Sequence, residues 1–450
     1  MRRFFTIHTL SLAFPLVLTA APKVLPVLNA TLPDQVLDIN ATAQSIDVPS
    51  LFGTEEIDDQ VVRFTSQASN GAAVMDFALF SNRTPITRTN FLQYVTDGDY
   101  DHSFIHRSVP GFVIQGGGFR NTNPNDALSV GSVPTDPAIT NEFGVSNTLG
   151  TISMAKNGGD PNSATSQWFV SLGDNSANLD NQNGGFTVFG RVTKGTMATA
   201  NNFGDPVQFP IWNAGGAFSN LPLIASFDGS ASIQHTDLIL FPTVTLAPLP
   251  AGEAGESTTL TYTVDNTDPS VVTTTLSATN QLQLSYPSDS SGVSTITVSA
   301  TDSVGNVVAD HFTIKVLQPY SLWKETNFNE ADAADPSVSG PDEDPNHDGI
   351  SNLRLYIHGL TIDQNHTDPV TMTTTSGFAV FSYPIVNNLK GITTQMQRST
   401  DLGITDPWTS VPYTVISRTT DNLLDTVSIR ANSALTGDRA FYRLVFTLAE

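Results

Sequence analysis

The sequence contains no cysteine. That excludes disulfide bridges, thiol nucleophiles and thiolate metal sites together, so stability must come from packed cores and from ions. Charge is also sparse: Asp, Glu, Lys and Arg make up 14% of the 450 residues, against roughly a quarter in ordinary globular domains. Basic residues are the scarcer sign, 20 against 43 acidic ones, for a net charge of −23. A chain so acidic is repelled by polyanionic backbones and anionic lipid surfaces, which argues against nucleic acid as a partner. Long apolar runs are missing after Ala21, so no later segment reads as a membrane-spanning helix.

What the sequence does have is Thr, Ser, Asn, Gly and Pro in every region outside the first twenty residues, a mixture that favours strands and turns over long helices. The length calls for about two to four domains. In Met1 to Ala21, Arg2 and Arg3 precede an apolar run from Phe4 to Leu18 that ends in Thr19, Ala20 and Ala21. This reads as a secretory signal peptide and predicts a secreted, periplasmic or cell-surface protein of bacterial type, without a membrane span once the segment is cleaved. The alternative is a short anchor, but His8 and Pro15 interrupt the run.

Residues 22–60 mix Pro, Asn and Asp with short apolar groups and read as an extended arm lying on a neighbouring domain. From Val61 the pattern becomes strand-like: Val61, Val62 and Phe64, then Ala73 to Phe80, flank an Asn70-Gly71 turn and predict a hairpin. Thr84 before Pro85 predicts a helix start, with Phe91, Leu92 and Val95 at helical spacing until Gly98. Short strand candidates follow at 104–109, 112–115, 151–155, 167–171 and 186–192, a spacing that argues for an antiparallel barrel or sandwich. A domain over 61–241 is expected to end in a linker at 242–255. Residues 256–317 alternate as a small immunoglobulin- or cadherin-like sandwich. An acidic, turn-rich connector over 318–377 and a C-terminal β module over 378–450 complete the reading.

The informative segment runs Phe104-Ile-His106-Arg107-Ser-Val-Pro110-Gly111-Phe112-Val113-Ile-Gln115-Gly-Gly-Gly118-Phe119. Further blocks follow or precede it in order: Thr84 to Phe91, Gly150 to Ala155, Asn162 to Phe169, and Leu179-Asp180 through Val188 to Val192. Together they resemble the cyclophilin-type peptidyl-prolyl isomerases over about residues 60–240. The resemblance implies a mainly β fold, an eight-stranded antiparallel barrel capped by two helices, with the site on its outer face. It implies isomerisation of X-Pro bonds in proline-containing polypeptides, without a cofactor for catalysis.

Such chemistry asks little of a protein. The amide resists rotation because the nitrogen lone pair is delocalised, with a barrier of about 18–20 kcal/mol, and no bond is made or broken. A pocket for the proline ring and a donor that favours the twisted state, in which nitrogen is pyramidal and basic, are enough. Arginine suits this because it stays cationic and presents several donors from one planar fork. By resemblance, Arg107 is the catalytic donor and Gln115 holds it and the substrate backbone. Phe112, Val113, Phe169 and Leu179 line the proline pocket, His106 and Phe186 flank it, and Gln167 and the Ala155 backbone bind the residues before proline. Val113 replaces a frequent Met and Phe186 a frequent His, while Asn178 stands where an aromatic residue usually precedes Leu179-Asp180, which predicts a thinner wall. Read alone, Arg107 is a surface or salt-bridged strand residue, Phe112 and Phe169 are core aromatics, and His106 is a packed, hydrogen-bonded histidine.

One further signal lies at 342–352. Asp344, Asn346 and Asp348, then Gly349, the Ile350 carbonyl and Asn352, match positions one, three, five, six, seven and nine of a calcium loop. The twelfth position, where a bidentate Glu belongs, is Leu355. Two readings stand: a structural calcium site completed from elsewhere, or a solvated acidic turn.

Overall fold

A computed structural model describes residues 21–68, 71–123, 128–421, 423–434 and 440–449. The signal-peptide reading, up to its last residue, and Asn70 of the hairpin turn lie outside the described residues. The chain divides into two compact units, one formed by the N-terminal part to residue 31, 50–261 and 300–308, the other by 32–49, 262–299 and 309–450.

The first unit is organised by one long hairpin. Phe52–Ala68 and Gly71–Phe80 pair antiparallel, with a bulge between Ile57 and Val61. The sheet extends from it in the order Val24–Leu28, Phe52–Ala68, Gly71–Phe80, Val188–Val192, Thr151–Met154, Trp168–Ser171, Val113–Gly116 and Arg107–Val109. Every pairing in it is antiparallel. A smaller sheet follows the order Val130–Ser132, Phe119–Asn121, Ser103–Phe104, Leu240–Phe241. The chain is therefore mainly β, and the large sheet curls around one core.

Period-two alternation decides what enters that core. Ile114, Ile152 and Val170 are fully buried on the inner face, in register across three adjacent strands. Aromatic rings fill the centre: Phe64 lies 5.1 Å from both Trp168 and Phe241, each edge-on. Removing a ring such as Trp168, which is wholly buried, would cost about 3–5 kcal/mol. Helix α1, Pro85–Thr96, adds Phe91 and Tyr94 to the same core, the very short helix α2 spans Ser176–Leu179, and α3, Met197–Phe203, adds Ala200 and Phe203. Pro85 opens α1, but Thr84 makes no side-chain cap. The free amides of Ile86 and Thr87 donate instead to the Glu142 carboxylate, at 3.2 and 2.8 Å, an anion at the positive end of the helix.

Three segments differ from expectation. Thr243–Pro248, within the expected linker, is a strand paired with Gln60 to Thr65 of the long strand. Its alternating Val244 and Leu246 outweigh the flanking prolines, and Val244 is buried. The expected arm is not one piece: Val24–Leu28 is a fully buried strand of the first unit, whereas Gln35–Asp38 and Gln44–Asp47 belong to sheets of the second. The expected connector holds helices Tyr320–Asn327, Glu330–Ala334, Pro336–Ser339 and Asn352–His358. They enclose a small core of Tyr320, Trp323, Leu353, Leu355, Tyr356 and Ile357.

Thr261–Asn266, Gly292–Thr301, Val307–Leu317 and Gln35–Asp38 form a four-stranded sheet, and Thr273–Leu276, Gln281–Ser285 and Gln44–Asp47 a three-stranded one. The C-terminal strands make two more sheets, of which Phe378–Val386 with Leu424–Ala431 and Ile392–Ser399 with Phe441–Leu448 are the central pairs.

Candidate active site

The same alternation that sends Ile114 and Val170 inward turns their neighbours outward. Arg107 sits opposite Gln115, Gln115 opposite Phe169, and Phe169 opposite Ser153, a row across four strands on the outer face. Val113 lies two residues from Gln115 on that face. The Val109-Pro110-Gly111-Phe112 segment closes a tight turn, with Phe112 N bonded to Val109 O at 3.0 Å. Gly111 takes φ +71 there, a conformation that a side chain disfavours, and the turn delivers Phe112 to the edge of the row.

Val113, Phe169 and Leu179 form a buried apolar cluster, with Phe112, Ala155 and Phe186 packed against it. Phe169 and Phe186 meet edge to face at 5.7 Å. These residues line a groove of about 330 Å³ whose remaining wall is made by Arg107, Gln115, Lys156, Asn178 and Gln182.

The polar edge is a chain of side chains. Arg107 Nη1 donates to Gln115 Oε1 at 3.5 Å, and Gln115 Nε2 donates to Gln167 Oε1 at 2.9 Å. Room for Gln167 comes from Gly118: a Cβ there would lie 2.8 Å from Gln167 Cδ. Gln167 in turn bonds the His106 ring, whose pKa burial pulls down to about 4, with Arg107 acting in the same direction. His106 is buried, sits edge-on to Phe119 at 5.0 Å, and is neutral at neutral pH. His106 and Gln167 thus stand behind the groove, not in its lining. Burial alone lowers the Arg107 pKa, and among the described residues no carboxylate pairs with its guanidinium.

Sequence reasoning passed over three groups. Lys156 Nζ donates to the carbonyls of Asn183 and Gly185, at 2.9 and 2.5 Å, and lies 4.8 Å from the centre of the Phe186 ring. Gln182, four residues after Asn178 and beyond the end of α2, donates to its side chain, so two amides occupy the place of the expected aromatic wall. Asn147, wholly buried, ties three walls together. Its Nδ2 donates to Asp180 Oδ1 at 2.8 Å and to Phe186 O at 3.1 Å, while its Oδ1 accepts from Ser153 Oγ at 2.7 Å. Asp180 follows Leu179 directly, and desolvation raises its pKa against the opposing bonds from Asn147 and Ser146. Asn175 completes the frame by donating to Phe112 O at 2.9 Å. Only the adjacency of Lys156 to Ala155 and the four-residue spacing of Asn178 and Gln182 were signals in the sequence.

The acidic loop of the second unit is held by its own amides. Asp344 accepts from Asp348 N and Gly349 N, and Asp348 from Ile350 N and His366 N. Asn352 turns its amide to the carbonyls of Val338 and Gly340, and Leu355 is buried in the helical core. The donor set lacks a bidentate carboxylate, and no group of three or more His, Asp or Glu able to hold a metal occurs among the described residues. At the twelfth position Leu355 supplies no carboxylate, while Asn352 Oδ1 is buried without a hydrogen-bond partner among the described residues.

Residues 63–204 match the family described as cyclophilin type peptidyl-prolyl cis-trans isomerase/CLD. The chain is 37% identical over 122 residues to a peptidyl-prolyl cis-trans isomerase of Acinetobacter baylyi, covering 27% of this chain and 62% of that one. It is 39% identical over 138 residues to peptidyl-prolyl cis-trans isomerase A of Dickeya dadantii, 30% of this chain and 66% of that one. A peptidyl-prolyl cis-trans isomerase of Streptomyces antibioticus is 36% identical over 135 residues, 29% of this chain and 78% of that one. The chain therefore spans a little under two thirds of the length of the first two of these relatives.

Proposed function

The chain belongs to the cyclophilin-type peptidyl-prolyl cis-trans isomerase family through residues 63–204, and from that premise we propose that its first unit interconverts cis and trans X-Pro bonds in polypeptides. The observation that carries this reading is Arg107 on the rim of an apolar groove, steadied by Gln115 at 3.5 Å and unpaired with any carboxylate among the described residues. The proline ring enters between Phe112, Val113, Phe169 and Leu179. As the imide twists, its nitrogen regains a lone pair, and the guanidinium donates to it. That bond exists only in the twisted state, so it lowers the barrier without tightening the ground state. A charge-assisted bond of about 1.5–3 kcal/mol corresponds to about 10- to 150-fold in rate. No bond is made or broken, so the reaction uses no cofactor, and His106, neutral behind the groove, has no acid or base role.

The proposal extends to place. Arg2 and Arg3 before an apolar run favour export, with folding clients outside the cytoplasm and the later β sheets serving as spacers or attachment surfaces. A second reading, a binding protein for proline-containing segments with little turnover, is favoured by Asn178 and Gln182 where the aromatic wall is expected. Exchange NMR on an Ala-Pro peptide with the full chain separates the two. Catalysed exchange at micromolar protein supports the isomerase, and saturable binding without exchange supports the second reading.

A further inference from the structure

The groove is a cationic place on an acidic protein. The chain carries 43 acidic and 20 basic residues, yet the groove lining contains Arg107 and Lys156 and no Asp or Glu. The rest of the lining is apolar or amide-bearing and contributes no charge. Two cations in a partly desolvated groove with apolar walls produce a field that bulk water screens less than it would on an open surface.

Lys156 has no evident part in rotating an imide. Its ammonium is anchored by the carbonyls of Asn183 and Gly185 and by the face of Phe186, which holds it at the groove instead of letting it swing free. An ammonium has three N–H donors, and two are used. The third finds no acceptor among the described bonds. The acid acting on it, Asp160, does not line the groove, and its Oδ1 accepts from Asn162 N at 2.9 Å. Both cations thus meet the substrate without a lining carboxylate to neutralise them.

Resting on the isomerase reading, we infer that the groove selects X-Pro segments bearing a carboxylate side chain beside the proline, with Lys156 the residue that sets this preference. Selection works in both directions: Asp or Glu near the proline is attracted, and Lys or Arg there is repelled. Lys156 is a specificity residue, and the rotation itself belongs to Arg107.

The test uses the full-length protein and three peptides, Ala-X-Pro-X-Ala with X as Glu, Gln or Lys, blocked at both ends. NMR titration gives Kd and exchange spectroscopy gives the catalysed rate, each at 20 and 500 mM NaCl. The Glu peptide is expected to bind about 10-fold more tightly than the Lys peptide, with Gln between them, and the ratio should fall to about twofold in high salt. Lys156→Gln should shrink the low-salt ratio several-fold, Lys156→Arg should restore it, and Lys194→Gln, outside the groove, should leave it unchanged. Equal affinities for the Glu and Lys peptides, or a ratio untouched by Lys156→Gln, overturns the inference. Catalysed exchange with a flat ratio sinks this inference alone. A charge-dependent Kd without exchange sinks only the isomerase reading, and no binding of any peptide sinks both.

Discussion

Asn147→Ala tests whether the groove is held by the buried node described above. The substitution removes both donors and the acceptor of a wholly buried side chain. Phe186 O and Ser153 Oγ each lose a neutral bond, worth about 1 kcal/mol net. Asp180 keeps the Asn147 backbone amide at 2.9 Å but loses a charge-assisted partner, worth about 1.5–3 kcal/mol. The sum is about 3–5 kcal/mol against the first unit. At about 2–4 °C per kcal/mol for a domain of this size, its melting transition should fall by about 6–20 °C. The same loss frees Leu179, through Asp180, and Phe186 to move apart, so the Kd for an X-Pro peptide should rise about tenfold at a temperature where the variant is still folded. Calorimetry of the full chain and peptide titration at 10 °C measure the two effects. Ser153→Ala, which removes one bond only, should cost about 1 kcal/mol and leave Kd within about twofold. An Asn147→Ala protein that melts within 2 °C of wild type and binds peptide normally would refute the reasoning.

Other consequences concern titration and backbone space. Asp180 has its pKa raised, chiefly by desolvation, so the folded state holds the proton more tightly than the unfolded chain. Stability is therefore lost as pH rises through the range just above the ordinary carboxylate value, and Asp180→Asn should flatten that part of the stability profile measured by urea titration. His106, lowered to about 4 from 6.5, works in the opposite sense: its contribution is present above 6.5 and lost as pH falls toward 4. Because neither it nor Arg107 changes charge near neutrality, kcat/KM on an Ala-Pro peptide should stay within about twofold from pH 5.5 to 8, and a bell-shaped profile in that window contradicts the account. Gly118→Ala should displace the flexible end of Gln167, which a Cβ would meet at 2.8 Å. Melting should shift by less than about 2 °C, while kcat/KM falls about five- to tenfold because Gln115 and Arg107 lose their brace.

The strands carrying the site were legible because their chemistry is local. The strand candidates at 112–115 and 167–171, bounded by turn-forming residues, and Pro85 at the start of α1 each rest on signals that act within a few residues. What escaped was decided by distant partners. The start of α1 is satisfied by Glu142, far along the chain, and no local rule points to it. Thr243–Pro248 becomes a strand because Phe52–Ala68 offers an edge, which outweighs the reading of its prolines as a linker. The expected arm divides between units for the same reason, each piece adding to a different sheet. In the acidic loop the Asp-x-Asn-x-Asp-Gly spacing was visible, but whether Asn352 faces the loop or the helices depended on the core around Trp323 and Tyr356. At the groove, the apolar residues could be placed by family pattern, whereas nothing in the sequence marks Asn147, whose three partners come from distant positions.

The most direct measurement compares wild type with Arg107→Ala and Arg107→Lys by exchange NMR on one Ala-Pro peptide, with Kd taken from the same titrations. If the guanidinium acts only as the imide twists, Arg107→Ala should lower the catalysed rate about 10- to 150-fold, the worth of one charge-assisted bond, with Kd changed less than about threefold. Arg107→Lys, a cation without the planar fork, should recover only part of the rate. A wild-type rate that survives Arg107→Ala, or a loss that appears wholly in Kd, would contradict the account.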